Sequence, residues 1–286
     1  MCENDITIMI ISTIPDMFAE HYYFIKNVFP ELKDICKNHN INLEYRDLLF
    51  SMSADELNQC RSIRTYFESM DLDRTFFICF RGQKLGRTPT PDDIDKITIG
   101  EYPELVKYIG DTSFTELMIM HALHPFDKQF DDELEFLNPV KHSLFYFRND
   151  DYVSNLTCSQ RNVYTCSGDY GDAFVDDLRL AMAKDLVFND KMEFDSKNNN
   201  TSHINIRKYD GIWDSDLKLK DVINKYTQQY SELKNVSVDD MKISEILGIS
   251  KVTGSFRDFK CDGKNLKDVM IEDFLNELKV EFPDCF

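Results

Sequence analysis

Residues Asp111–Ala122, Asp-Thr-Ser-Phe-Thr-Glu-Leu-Met-Ile-Met-His-Ala, put one carboxylate, Glu116, in the first turn of a helix entered from a loop rich in Gly, Pro and Asp. In open α/β sheets, ligands bind outside the carboxyl ends of the strands and beside helix N-termini. A carboxylate fixed there can accept from a ribose diol or stabilise a developing positive charge. The same spacing has a structural use. Ser113-x-x-Glu116 fits a capping box, in which the serine takes one free amide and the glutamate reaches back to another. Both uses need the same helix start, so spacing alone leaves them open.

The elements that must position Glu116 read as alternating strands and helices. Ile6–Ser12 is a nearly continuous apolar run, as expected of a strand covered on both faces. Phe18, Tyr22, Ile25, Phe29, Leu32 and Cys36 then recur at steps of four and three, the stripe of an amphipathic helix. Pro30 removes one helical hydrogen bond, which predicts a kink or break near Val28–Pro30. Strands follow at Ile41–Leu48, Thr75–Phe80, Ser143–Arg148 and Ile204–Tyr209, with helices at Leu57–Met70 and from Thr112. Further helices are expected over Phe174–Val187, 216–234, 239–248 and Leu266–Leu278, the last stopping before Pro283, and an exposed polar loop over Asn189–Ser202. Arg81–Gly110 carries four glycines and three prolines and reads as a long lid-like loop with little regular structure. The alternation predicts an α/β, doubly wound, mostly parallel five-stranded sheet with extra C-terminal helices.

Composition narrows the classes. The chain has 286 residues, with 33 basic against 51 acidic side chains and a net charge of −18. That balance argues against nucleic acid or an anionic membrane as the main partner, since both need a positive footprint. The acidic N-terminus, with an apolar run only from Ile6 to Ile11, does not read as a signal peptide or membrane span. The expectation is a cytoplasmic protein. Eight cysteines lie at 2, 36, 60, 79, 158, 166, 261 and 285 without a C-x-x-C pair, so reduced thiols are expected. Of six histidines only His121 and His124 share helical spacing, and no third ligand joins them, so no metal centre is expected. Nothing fits G-x-x-x-x-G-K-[ST], so the chain is not by itself a nucleoside triphosphatase.

Five short motifs carry a resemblance. Ile11-Ser12-Thr13-Ile14-Pro15-Asp16-Met17-Phe18-Ala19-Glu20 resembles the "S-S-T-F-x-D-M-x-x-E-R" opening of a Toll/interleukin-receptor-like (TIR-like) domain of unknown function. That domain stands at the N-terminus of STAND/NACHT ATPases such as nephrocystin-3, the telomerase- and vault-associated TEP protein, and the NACHT and WD-repeat proteins. Val28-Phe29-Pro30-Glu31-Leu32 is similar to its "V-F-P-E-L", and Phe76–Gly82 to its "F-F-I-x-L-L-G". Thr115-Glu116-Leu117 matches "T-E-L/I", and Leu144-Phe145-Tyr146-Phe147-Arg148 matches "A-L-F-Y-F-R". The likeness is strong to residue 148 and fainter to Pro283. It implies one TIR-like α/β domain over 1–286, with core βα units in 1–148 and a part, 149–286, that completes the sheet and adds helices. Two departures fall where a ligand would sit. Asp47-Leu48 is followed by Leu49-Phe50-Ser51 in place of the usual Arg-Trp-Gly, and His21 stands where the family prefers Arg.

The resemblance implies three functional readings. In the first, the domain is a signalling or effector module that self-associates or docks on protein partners, a STAND/NACHT ATPase among them. Residues 1–286 leave open whether such an ATPase belongs to the same chain or to another. In the second, it cleaves the nicotinamide–ribose bond of NAD(P), as an NAD(P)+ nucleosidase. Glu116 then stabilises the oxocarbenium-like sugar, as a carboxylate does in glycoside hydrolysis. NAD would be the substrate, and no resident cofactor is implied. Ser12, Thr13 and Asp16 after strand one, Asp47 after strand two, and Arg81 and Gly82 after strand three would line the crevice. Each also has a plainer role: Ser12 and Thr13 capping the first helix with Asp16, Asp47 in a turn, Arg81 as a solvated charge. The third reading is a nucleotide binder without turnover.

Overall fold

A computed structural model of the chain describes residues 5–13, 16–47, 62–70, 74–84, 86, 88–123, 142–149, 203–210 and 259–286. Five strands make one all-parallel sheet: β1 (Asp5–Ser12), β2 (Asn42–Asp47), β3 (Thr75–Arg81), β4 (His142–Arg148) and β5 (His203–Tyr209). Their order is β2-β1-β3-β4-β5, the 2-1-3-4-5 order of doubly wound, flavodoxin-like sheets. β1 lies inside the sheet, between β2 and the central strand β3, and pairs Ile8 with Phe76 and Ser12 with Phe80. The winding direction reverses between β1 and β3, which opens the ligand crevice of such sheets beside Ser12 and Phe80.

The strand sequences are apolar throughout because helices cover both faces. Ile6, Ile8, Ile10, Phe76, Ile78, Phe80, Leu144 and Tyr146 point to one side, into a core shared with α1 (Phe18–Tyr23), α2 (Phe29–Asn38) and a C-terminal helix, Leu266–Glu281. Met9, Ile11, Phe77, Cys79, Phe145 and Phe147 point to the other, against α3 (Ser62–Met70) and the helix Phe114–Leu123. The alternation is the period of two of a pleated strand.

The break expected in the first helix is present and has a defined form. Phe24–Val28 is a turn of π-helix between α1 and α2, and Pro30 sits in the first turn of α2, where no amide is needed. The expected loop Arg81–Gly110 requires correction. It contains a 3₁₀ turn at Pro91–Asp93, a helix α4 (Lys96–Glu101) and a 3₁₀ turn at Pro103–Lys107. Both prolines occupy the first turn of their elements, Thr90 and Asp93 form a capping box, and Asp95 caps α4 through the Thr98 amide. Proline here starts structure instead of blocking it. Tyr102 and Leu105 are fully buried, so the segment is packed onto the core.

The helix Phe114–Leu123 is α5 and Leu266–Glu281 is α6. Asn265 caps α6 through the Lys267 amide at 2.9 Å, and the helix ends before Pro283 as its sequence predicts. The helices expected over Phe174–Val187, 216–234 and 239–248, and the polar loop Asn189–Ser202, lie outside the described residues. Among the described residues no helix is long and apolar enough to cross a membrane.

Candidate functional site

Three of the motif segments meet at the carboxyl edge of the sheet. Asp16, Met17 and Glu20 come from the β1–α1 junction, Gly82 from the residue after β3, and Arg148 from the last position of β4. Asp16, Glu20, Arg81 and Arg148 are all enclosed, none more than 1% exposed. Arg148 donates through Nε to Glu20 Oε1 at 3.0 Å and also through Nη2 to that oxygen, and through Nη2 to the Asp16 carbonyl at 2.7 Å. Tyr209, at the end of β5, donates to the same Glu20 oxygen at 2.8 Å. Burial, and after it the Glu20 charge, push the Tyr209 phenol well above its ordinary range, so it stays a donor. The Glu20 carboxylate on α1 thus ties β4, through Arg148, to β5, through Tyr209, in an enclosed space.

Gly82 is required by this packing. A Cβ built on it would stand 2.3 Å from both Asp16 Oδ2 and Met17 Cε. The Asp16 carboxyl therefore lies directly on the β3 backbone. Burial raises it from an ordinary 3.8 to about 7, against the pull of Arg148 and Arg81 and with the push of Glu20. Ser12 and His21 are hydrogen-bonded through Oγ and Nε2, which links the end of β1 to the buried ring on α1.

On the opposite face of the same edge, Arg81 donates to Thr13 Oγ1 at 2.9 Å, and Thr13 donates to the Lys84 carbonyl at 3.0 Å. Gly86, at φ +92°, lies between this pair and α5. A Cβ on it would meet Thr115 Oγ1 at 3.0 Å and Thr13 Cγ2 at 3.3 Å. Glu116 is the next residue and is 9% exposed. Its Oε2 accepts from the Ser113 amide at 2.7 Å, while its own amide donates to Ser113 Oγ at 3.3 Å. The capping box is formed.

The structure therefore gathers Ser12, Thr13, Asp16, Arg81, Gly82 and the N-terminus of α5 at one edge. Asp47 closes β2 in register with Ile10, and its backbone alone is described. Two of the plainer roles need correction. Arg81 is not a solvated charge, and no side chain caps α1, whose N-cap is Met17. His121 is a core residue, stacked on Phe67 at 4.0 Å, and among the described residues no group of side chains is arranged to hold a metal ion. Glu20 and Arg148 were not singled out from the sequence. Their signal was an acid closing the first motif and a base closing the apolar run Leu144–Phe147, since charges are rarely fully buried unless paired.

No family model matches the chain, and no solved structure matches it. It is similar to telomerase protein component 1 of Rattus norvegicus, with 24% identity over 153 residues, covering 54% of this chain and 5% of that protein. The Mus musculus protein of the same name is 24% identical over 156 residues, again 54% and 5%. A TPR repeat-containing protein of Dictyostelium discoideum is 21% identical over 192 residues, 64% of this chain and 11% of that protein. The chain thus spans about a tenth or less of the length of these curated relatives.

Proposed function

We propose that this chain is a TIR-like signalling module that works through protein contacts, by self-association or by docking on a partner such as a STAND/NACHT ATPase. The observation that carries the reading is the state of the charges at the ligand edge. Arg148 is committed to Glu20, Arg81 to Thr13, and the Glu116 carboxylate to the Ser113 amide. An edge whose charged groups are enclosed and directed at one another or at the backbone presents few of them to a polar substrate. The relatives support the same reading, because the similarity covers a small part of proteins named as a component and as a carrier of TPR repeats. TPR arrays are extended binding scaffolds.

Light scattering on the purified chain, from dilute to crowded concentration, tests the self-association arm. A net charge of −18 makes copies repel, so the mass should rise with concentration and rise further when salt screens the charge. A monomer at every concentration and salt level would remove that arm and leave docking.

One observation favours NAD cleavage as the second reading. Glu116 adjoins Thr115, which flanks Gly86 opposite Thr13, so its carboxylate stands at the same edge as the strand ends. Leaving the Ser113 amide would free it for a sugar. A nucleotide binder without turnover draws less support, since the enclosed Arg81 presents no cation to a phosphate.

A further inference from the structure

The Asp16 carboxyl is fully enclosed and has fewer donors than an anion needs. Its Oδ1 accepts no hydrogen bond among the described residues, and its Oδ2 is 3.5 Å from the Lys84 amide, a contact at the limit of hydrogen bonding. The charged groups that act on it are Arg148, Arg81, Glu20 and Lys84. Both guanidinium groups are directed elsewhere. Arg148 donates to Glu20 and to the Asp16 carbonyl, and Arg81 to Thr13. A neutral carboxyl fits this enclosure, whereas a carboxylate without donors carries a desolvation cost of several kcal/mol by general estimates.

The absent side chain of Gly82 is what lets the segment after β3 lie on this carboxyl. We propose that Asp16 is a proton-operated latch on residues Gly82–Lys84. The neutral carboxyl tolerates enclosure under the segment, whereas loss of the proton leaves a buried charge that the long Lys84 amide contact does not satisfy and that gains by reaching water, which loosens the segment. The titration of Asp16 at about 7 puts the transition in the neutral range. Because Thr13 donates to the Lys84 carbonyl and Arg81 donates to Thr13, loosening at Lys84 also frees the hydroxyl to which Arg81 is bonded. The latch thus couples proton activity to exposure of the edge between β1 and β3. It stands independently of whether that edge serves docking or catalysis.

The test is an NMR titration of the full chain from about pH 5 to about pH 9, a window that brackets the transition. The Asp16 side-chain carboxyl carbon and the Gly82 and Lys84 amides are followed together. The latch requires all three to move with one midpoint near 7. In Asp16→Asn the two amides should stay at their low-pH positions across the range. Trypsin cleavage after Lys84, expressed relative to Asp16→Asn at each pH, should accelerate severalfold above the midpoint. Amides that do not move, or that move identically in Asp16→Asn, would overturn the proposal. If that variant does not fold, the carboxyl carbon of the native chain decides alone: a midpoint in the ordinary aspartate range would end it.

Discussion

Two arginine-centred clusters among the described residues brace this sheet, and they differ in what surrounds them. At the carboxyl edge, Arg148 and Glu20 are both 0% exposed and are joined by Tyr209. On the α6 side, Arg207 of β5 forks onto Asp273 at 2.6 and 3.1 Å, with Tyr146 donating to the same carboxylate at 3.2 Å. Chemically the two are nearly alike, each an arginine, an acid and a tyrosine. The Arg207 side chain, however, is 37% exposed, so water screens its pair and can replace it. The enclosed cluster has no such alternative. It functions as a keystone, whereas the half-exposed one is a brace.

Removing one partner of the enclosed pair should have the largest effect. Arg148→Met leaves Glu20 buried and without its cation, and urea denaturation should report a loss of about 3–5 kcal/mol. Replacing both, as Arg148→Met with Glu20→Leu, should recover much of that loss, because the cost lies in the orphaned charge.

Asp16 gives the next effect, and its sign is opposite to that of an ordinary salt-bridged aspartate. Its folded value, about 7, lies above its unfolded value of 3.8. The unfolded chain therefore releases the proton first as pH rises. Stability falls between those two values and levels off above the higher one. The difference between the native chain and Asp16→Asn should widen by a few kcal/mol across that window, as determined by denaturation at a series of pH values. A difference independent of pH would mean that Asp16 ionises normally.

Gly82→Ala should cost about 1–3 kcal/mol by overpacking onto Asp16 and Met17. Arg207→Met leaves the buried Asp273 with the Tyr146 donor and with access to water along the half-exposed side, and should cost about 1–2 kcal/mol, less than Arg148→Met. If its cost matched that of Arg148→Met, the contrast between the two clusters would collapse.

Much of this architecture could be read from the chain. The runs Ile6–Ser12, Thr75–Phe80 and Ser143–Arg148 are apolar at consecutive positions, and a strand covered on both faces leaves that trace. The helix α4 was not read because Gly100 and the flanking prolines look like loop formers. Their helical use depends on Pro91 and Pro103 falling in first turns and on Asp95 being placed to cap, which is a matter of register. At the edge, Ser12, Thr13, Arg81 and Gly82 were located by topology alone. The partnership of Glu20 with Arg148 spans 128 positions in sequence, and no local periodicity carries it. It left only an acid at the end of one motif and a base at the end of another.

The proposed role of the carboxyl edge is protein contact without turnover of NAD. The most direct test is to incubate the purified chain with NAD and follow nicotinamide release at dilute and at crowded concentration, beside Glu116→Gln. The account predicts no release above the no-protein control at either concentration. Release by the native chain that disappears in Glu116→Gln, with folding retained, would contradict it and make Glu116 a catalytic residue.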